Sequence, residues 1–376
     1  MKSFPVQLIS IRFLVLIILM ITINNPVIAQ KKKVKTSKRW SMELSMQSGY
    51  DNNALRYSDK YLQRFKNNED KGRFHIKKYD DLVMDYTARI SYSERFIKNM
   101  LSVFTARINY NQYTFNTIKT WYQIDLMYQQ YITQKTSLMF SYSYLPEFYV
   151  AHFRDNDWVK MYGYTPITFQ PYTFSKNDFS FWLQHNFNTN TRVRVYFSLM
   201  KYYYNKHFTE YDSDNYLTGV RVSHNLSPQL SLDAAYKFVR SNAKGFDELG
   251  EDKLTSDDAD ATYNEHNISL GAAYKMPRIF NLDNKINFSV ELFRRYYLTD
   301  KTVTEDQLHS GRNDLSYRIG LKYDFAILKN LTTGLYFNYA FRNAQSSNIT
   351  NNEFISDEKD YDQAKCGVSV LYKLQF

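Results

Sequence analysis

A single cysteine, Cys366, stands in the whole chain, so no intramolecular disulfide framework can hold the fold together. The eleven glycines are dispersed and build no phosphate-cradling loop, and the seven prolines gather into no linker. Histidines and cysteines never fall at metal-ligand spacing. After Ala29 no apolar run approaches the length of a membrane-spanning helix, and the mean hydropathy is −0.54. Disulfide-stapled secreted domains, nucleotide-binding folds and helical membrane proteins are thereby set aside.

Charge of one sign is scarcer than the formal +10 suggests. Lys2 and Arg12 precede an apolar run from Phe13 to Ile23, followed by Asn24, Asn25, Pro26 and the small-residue site Val27-Ile28-Ala29. That arrangement is a signal peptide over residues 1–29, too short in its apolar part to span a bilayer comfortably. No cysteine follows it, which argues against a lipid anchor. Lys31, Lys32, Lys33, Lys35, Lys38 and Arg39 then concentrate most of the remaining excess in a basic tail, residues 30–38 with its edge, read as solvated on the periplasmic side. The rest of the chain is close to neutral, so no basic face for nucleic acid is expected.

Aromatic residues are abundant: they make up 17% of the chain, with 34 Tyr and 27 Phe. They recur with a period of two in segments of about ten residues or more, the length of a tilted membrane strand. Leu82, Met84, Tyr86, Ala88, Ile90 and Tyr92 alternate with Asp81, Val83, Asp85, Thr87, Arg89 and Ser91. Phe104, Ala106, Ile108 and Tyr110 alternate with Thr105, Arg107 and Asn109, and Tyr122, Ile124, Leu126 and Tyr128 with Gln123, Asp125 and Gln129. The pattern returns near residues 138–144, 179–183, 193–199, 230–238, 286–292 and 335–341. An amphipathic helix would space its apolar residues three or four apart. Soluble sandwich strands are shorter and would not leave an aromatic-rich face unpaired.

Connections alternate between short and long. Short ones fall at 94–99, 133–136, 188–191, 227–229, 277–284 and 327–330, and long ones at 52–79, 151–176, 207–215, 241–265, 299–312 and 345–360, with 111–120 the one short member of the long set. The count is about fourteen strands, an all-β, transmembrane, antiparallel up-and-down barrel over residues 39–376.

At the end of the chain Ala364, Cys366, Val368, Val370, Tyr372, Leu374 and Phe376 alternate with Lys365, Gly367, Ser369, Lys373 and Gln375. Here the chain resembles the bacterial outer-membrane β-barrel proteins, porin-like in pattern and without a specific subfamily. The resemblance implies an outer-membrane location among lipid and lipopolysaccharide. It also implies recognition of Tyr372 and Phe376 by the barrel-assembly machinery.

The positions opposite the lipid face are the candidate pore lining: Asp85, Arg89, Arg107, Asp125, Arg194, Arg221, Asp233, Lys237, Glu291, Arg295, Arg318 and Lys322. In a wide barrel such charges line water and, with cations in excess, favour anions; in a narrow one they pair across the lumen and close it. The expected function is a passive channel for small solutes, with a closed-lumen structural or surface-interaction barrel as the alternative and an outer-membrane hydrolase behind both.

No enzyme, cofactor or metal is expected. The seven histidines are scattered, none two residues from a serine on one strand face as a barrel hydrolase would need, and Ser223 and His224 point to opposite faces. His185 is expected on the lipid side beside a turn. Two loops stand out. In residues 55–74, Tyr57, Tyr61 and Phe65 recur every fourth residue, as in a short helix folded over or into the mouth. Residues 153–174 hold Trp158, Tyr162, Tyr164, Phe169 and Tyr172, placed to stack on a sugar or narrow the pore, though interfacial aromatics commonly serve as girdle. The acidic run Asp257, Asp258 and Asp260 lacks calcium-loop spacing and is read as solvated. Asn267, Asn287, Asn330 and Asn348 open sequons that are given no role.

Overall fold

The computed structural model describes residues 39–376, so the signal peptide and the basic tail expected before Arg39 lie outside the described residues. Fourteen antiparallel strands follow one another around a closed barrel, each hydrogen-bonded to its sequence neighbours. They are β1 Trp40–Asp51, β2 Asp81–Arg95, β3 Leu101–Tyr113, β4 Trp121–Tyr131, β5 Thr136–Arg154, β6 Phe169–Asn186 and β7 Thr191–Tyr204. The second half runs β8 Ser213–Asn225, β9 Leu230–Ala243, β10 Tyr263–Ile279, β11 Leu282–Tyr297, β12 Arg312–Leu328, β13 Leu331–Ser346 and β14 Tyr361–Gln375. No helix among the described residues is long and apolar enough to cross a membrane.

The two faces divide as the alternation requires. One register row runs Leu44, Ala88, Ile108, Ile124 and Tyr144 across β1 to β5, all outward. The neighbouring row runs Glu43, Arg89, Arg107, Asp125 and Ser143, all inward. Most outward apolar side chains are open to the surroundings: Leu126 is 53% exposed and Leu335 56%, while Leu44 is covered by its neighbours. Water would not tolerate such a continuous apolar belt, and hydrocarbon solvates it. Aromatic rings border the belt. Trp40 packs on Tyr92 and Phe104 on Tyr128, each pair at 4.8 Å, towards the short turns, and Tyr317 stacks on Phe341 at 4.8 Å towards the long loops. His185 lies outward beside its turn, with Nδ1 2.9 Å from Thr136 Oγ1.

Closure joins β1 to β14. Trp40 and Phe376 exchange both main-chain hydrogen bonds at 3.0 Å, and eleven register pairs run from Ser41–Gln375 to Asp51–Lys365. Near the loop end of the seam Gly49 opposes Gly367, and a Cβ on Gly49 would collide with Tyr336 Oη. The inward tyrosine of β13 therefore lies across the seam only because that position carries no side chain.

Two connections differ from the sequence expectation. The turn expected over residues 277–284 shrinks to Phe280 and Asn281, both with positive φ (53° and 60°) as a tight hairpin turn demands. Pro277 lies inside β10, where the register shifts between Met276 and Ile279, a break that accommodates a residue without an N–H. The loop expected over residues 151–176 shrinks to 155–168, since β5 and β6 continue well past the apolar belt. Register shifts between Leu145 and Phe148 and between Tyr149 and Ala151 break the period of two there and hide the strand.

Seven long loops lie at one end: L1 (52–80), L2 (114–120), L3 (155–168), L4 (205–212), L5 (244–262), L6 (298–311) and L7 (347–360). Three carry helices, α1 Asp59–Lys66 in L1, α2 Asn156–Tyr162 in L3 and α3 Ile349–Lys359 in L7. Only the first of these was legible beforehand. Asp155 caps α2 by accepting the Trp158 N–H, and Asn348 caps α3 by accepting the Thr350 N–H. The Asn348 sequon is thus a helix cap.

Candidate functional site: a charged lumen beneath a loop-built vestibule

The structure places all twelve candidate lining residues on the inward face. Their ion pairs run along the wall, between neighbouring strands. Arg107 meets Asp125 at 2.7 Å, Arg221 meets Asp233 at 2.7 Å, Arg318 meets Glu291 at 3.7 Å and Arg89 meets Glu43 at 3.8 Å. Arg295 holds Glu265 at 2.7 Å and lies 4.0 Å from the Tyr263 ring, while Lys322 meets Asp324 of its own strand at 2.9 Å. Asp85 accepts a hydrogen bond from Asn111. Among the described residues every ion pair between strands joins adjacent ones, and none bridges the barrel.

Pairing with a neighbour leaves several of the cations wet, although Asp125 is buried. Arg221 and Arg318 are each 49% exposed, though both point inward. Such exposed pairs contribute little to stability, so their value lies in the field they create. That field is uneven. Arg194 opposes Arg221 in the register and donates to Gln184 at 2.8 Å, with its guanidinium 4.5 Å from the Trp182 ring. Lys237 lies 5.9 Å from the Tyr196 ring. With the inward Arg192, this stripe on β7 to β9 sets four cations against the single carboxylate of Asp233.

Above the wall the loops enclose a cavity of about 990 Å³. L1 starts at β1 but packs on β5, four strands away: Leu55, Tyr57 and Tyr61 are buried against Tyr149 and Ala151. The helix expected in L1 is therefore present and folds into the mouth. Arg73 holds the Tyr61 ring at 3.7 Å, and α3 of L7 meets α1 through Lys60–Glu358 at 3.1 Å and a Tyr61–Glu358 hydrogen bond. Lys359 lies 5.5 Å from the Phe153 ring of β5. Burial, with Arg312 and Arg342 close by, pulls the Lys359 ammonium down to about 7.

The rest of the lining is aromatic and acidic. Tyr172 of β6 stacks with Tyr204 and Phe208 at 4.9 Å and with Tyr211 at 5.3 Å. Of the third-loop aromatics, Phe169 and Tyr172 belong to β6, Trp158 packs edge-on against His207 at 5.2 Å, and Tyr164 is exposed. Asp155 pairs with His207 of L4 at 2.7 Å, Lys160 with Asp257 of L5 at 2.8 Å, and Asp306 of L6 accepts the Asp260 N–H at 2.9 Å. Burial, then repulsion from Asp258 and Asp247, pushes the Glu210 carboxyl up to about 8.

The acidic run is not simply solvated. Asp258 and Asp260 are buried, Asp260 reaching Lys253 at 3.3 Å, and only Asp257 is exposed. Sequence reasoning missed Asp247, Glu251, Glu265, Arg312 and Arg342 because their neighbours come from other loops and strands. Among the described residues no serine hydroxyl hydrogen-bonds a histidine; the imidazoles of His207 and His309 bond aspartates instead.

No family model and no curated protein matches the chain. Solved structures do. The outer membrane channel DcaP of Acinetobacter baumannii is 9% identical, with 91% of this chain and 99% of that one covered at a TM-score of 0.45. A Pseudomonas aeruginosa FadL homologue is 10% identical over 89% and 90% of the two chains, at 0.44. An anion-selective porin from Comamonas acidovorans is 8% identical over 89% and 98%, at 0.43. Likeness at this level transfers no activity to the chain.

Proposed function

We propose that the protein is a bacterial outer-membrane channel that passes small solutes passively, with a preference for anions. The observation that carries this reading is the inward stripe of Arg192, Arg194, Arg221 and Lys237 with one carboxylate among them, on a wall whose charges pair sideways and stay wet. A stripe with a net excess of cations in a confined water column raises the local anion concentration. Residues 1–29 serve as the export signal and 30–38 as a periplasmic tail. Tyr372, on the outward face of β14, and Phe376, just past its end, serve as the recognition feature for barrel assembly, and lipid with lipopolysaccharide surrounds the belt.

Refolded full-length protein in planar bilayers tests the reading. Steady ohmic current with an anion-directed reversal potential in a salt gradient is expected, and Arg194→Gln with Arg221→Gln moves that potential towards zero. An electrically silent bilayer favours the second reading, a closed barrel serving the surface. The specific feature behind that alternative is the reach of L1 and L7 across the mouth to β5.

A further inference from the structure

The acidic side of the vestibule holds a group of carboxylates that the channel reading does not use. Asp247, Glu251 and Asp258 of L5 each place a ligand oxygen within 4.8 Å of the other two. Like charges that close repel strongly in a partly buried setting unless something positive sits between them. No side-chain cation does so among the described residues. Lys160 goes to Asp157 and Asp257, Lys253 to Asp260, and Lys301 to the main-chain carbonyls of Ser256 and Asp258.

A second observation comes from a different loop. Glu210 of L4 is 7% exposed, and its Oε2 is buried without a hydrogen-bond partner. Its main-chain carbonyl accepts the Gly245 N–H at 2.7 Å, which fixes it beside the segment that carries Asp247. The charges it feels most are those of Asp258 and Asp247. Oε2 of Glu251 is likewise buried and unpartnered. A buried carboxylate oxygen with no donor is costly, and one such oxygen within the cluster and another on the adjoining loop point to a missing positive partner.

We propose that Asp247, Glu251 and Asp258, joined by Glu210, form a calcium site that clamps L4 to L5 on the rim of the vestibule. The donor set is all oxygen, with neither imidazole nor thiolate, which selects a hard cation. Flexible loop carboxylates suit the six to eight ligands of calcium better than the strict octahedron of magnesium. Main-chain carbonyls and water complete the shell. Because L5 is already tied to L3 by Lys160–Asp257 and to L6 by Lys301 and Asp306, the ion fixes the whole acidic side of the mouth. Sites of this kind in extracellular modules bind at about 10⁻⁴–10⁻³ M, which suits a loop facing the medium.

The tyrosines lining the same cavity supply the readout. Chelator-stripped full-length protein, refolded in detergent, is titrated with terbium while tyrosine is excited, and calcium is then added in competition. One terbium per chain is expected, displaced by calcium at about millimolar concentration. Asp247→Asn with Asp258→Asn should weaken calcium by roughly tenfold or more, and Glu210→Gln by several-fold, while the exposed neighbour Glu248→Gln leaves it unchanged. Retained heat-modifiable migration verifies that each variant still folds, and should the double variant not fold, Glu210→Gln alone decides. Absence of saturable uptake by the wild type overturns the site, as does binding equal to wild type in every folded variant.

Discussion

The wall and the vestibule solve the burial of charge in opposite ways. In the wall, Arg221 and Asp233 are paired at 2.7 Å yet half open to water, and their neighbours on the same strands face lipid. Where the wall meets the loops of the vestibule, Asp51 is fully buried and is held by Lys365 at 2.9 Å and by both hydrogen bonds from Gln363. The wall uses charge to make a field, whereas the vestibule uses it to hold shape. Substitutions should therefore separate the two regions cleanly.

The largest effect belongs to the wall's outward side. Ile124→Arg should destabilise the barrel by about 2–4 kcal/mol in lipid vesicles, whereas Gln123→Arg, one residue away and inward, should be nearly silent. Equal shifts in the two unfolding midpoints would contradict the assigned faces. The vestibule breaks differently. Asn53 binds Tyr57 through both main-chain groups, at 2.9 and 2.8 Å, and Asp362 O at 2.9 Å. Asn53→Ala should cost about 1–3 kcal/mol, felt as faster hydrogen exchange and protease nicking in L1 with the barrel strands unchanged. Uniform loosening of the strands would show that the two regions are one cooperative unit.

Acid sharpens the contrast further. Lys359 is neutral above about pH 7 and charged below it, with the cations Arg312 and Arg342 and the carboxylates Glu358 and Asp314 all close by. Anion preference should therefore rise as pH falls from 8 to 6, and Lys359→Met should flatten that response in reversal-potential measurements. The sign for docking is opposite. The free lysine titrates near 10.5, so the cost of stripping its proton on docking falls as pH rises from about 7 towards 10.5, and L7 holds more tightly there. Smallest of all is the wall pair itself. Asp233→Asn should change stability by less than about 1 kcal/mol while increasing anion selectivity, and a large loss of stability would place that pair among the structural ones.

The sequence made the wall readable because its signal is local. Each residue's face follows from its parity, and Ile124 and Asp125 needed no distant information. Parity failed only where the chain leaves the regular ladder, at the breaks after Leu145 and Tyr149 and at Pro277. It also could not supply register, so the juxtaposition of Arg194 with Arg221 emerged only in three dimensions. The vestibule was nearly opaque because its partners are remote in sequence. Tyr61 meets Glu358, and Glu210 lies beside Gly245, through loops whose local pattern is polar and irregular. Even there two helix caps, Asp155 and Asn348, were visible in principle as side-chain acceptors before short polar helices.

The seam between β1 and β14 imposes an order of events. Until those two strands meet, each presents an unsatisfied edge, and joining segments more than three hundred residues apart is entropically slow. Asn53 of L1 reaches Asp362 O, and Gln363 and Lys365 reach Asp51 at the foot of L1, only across that junction. The lid over the entrance is therefore the final piece to settle, and a half-made cylinder has no mouth to guard.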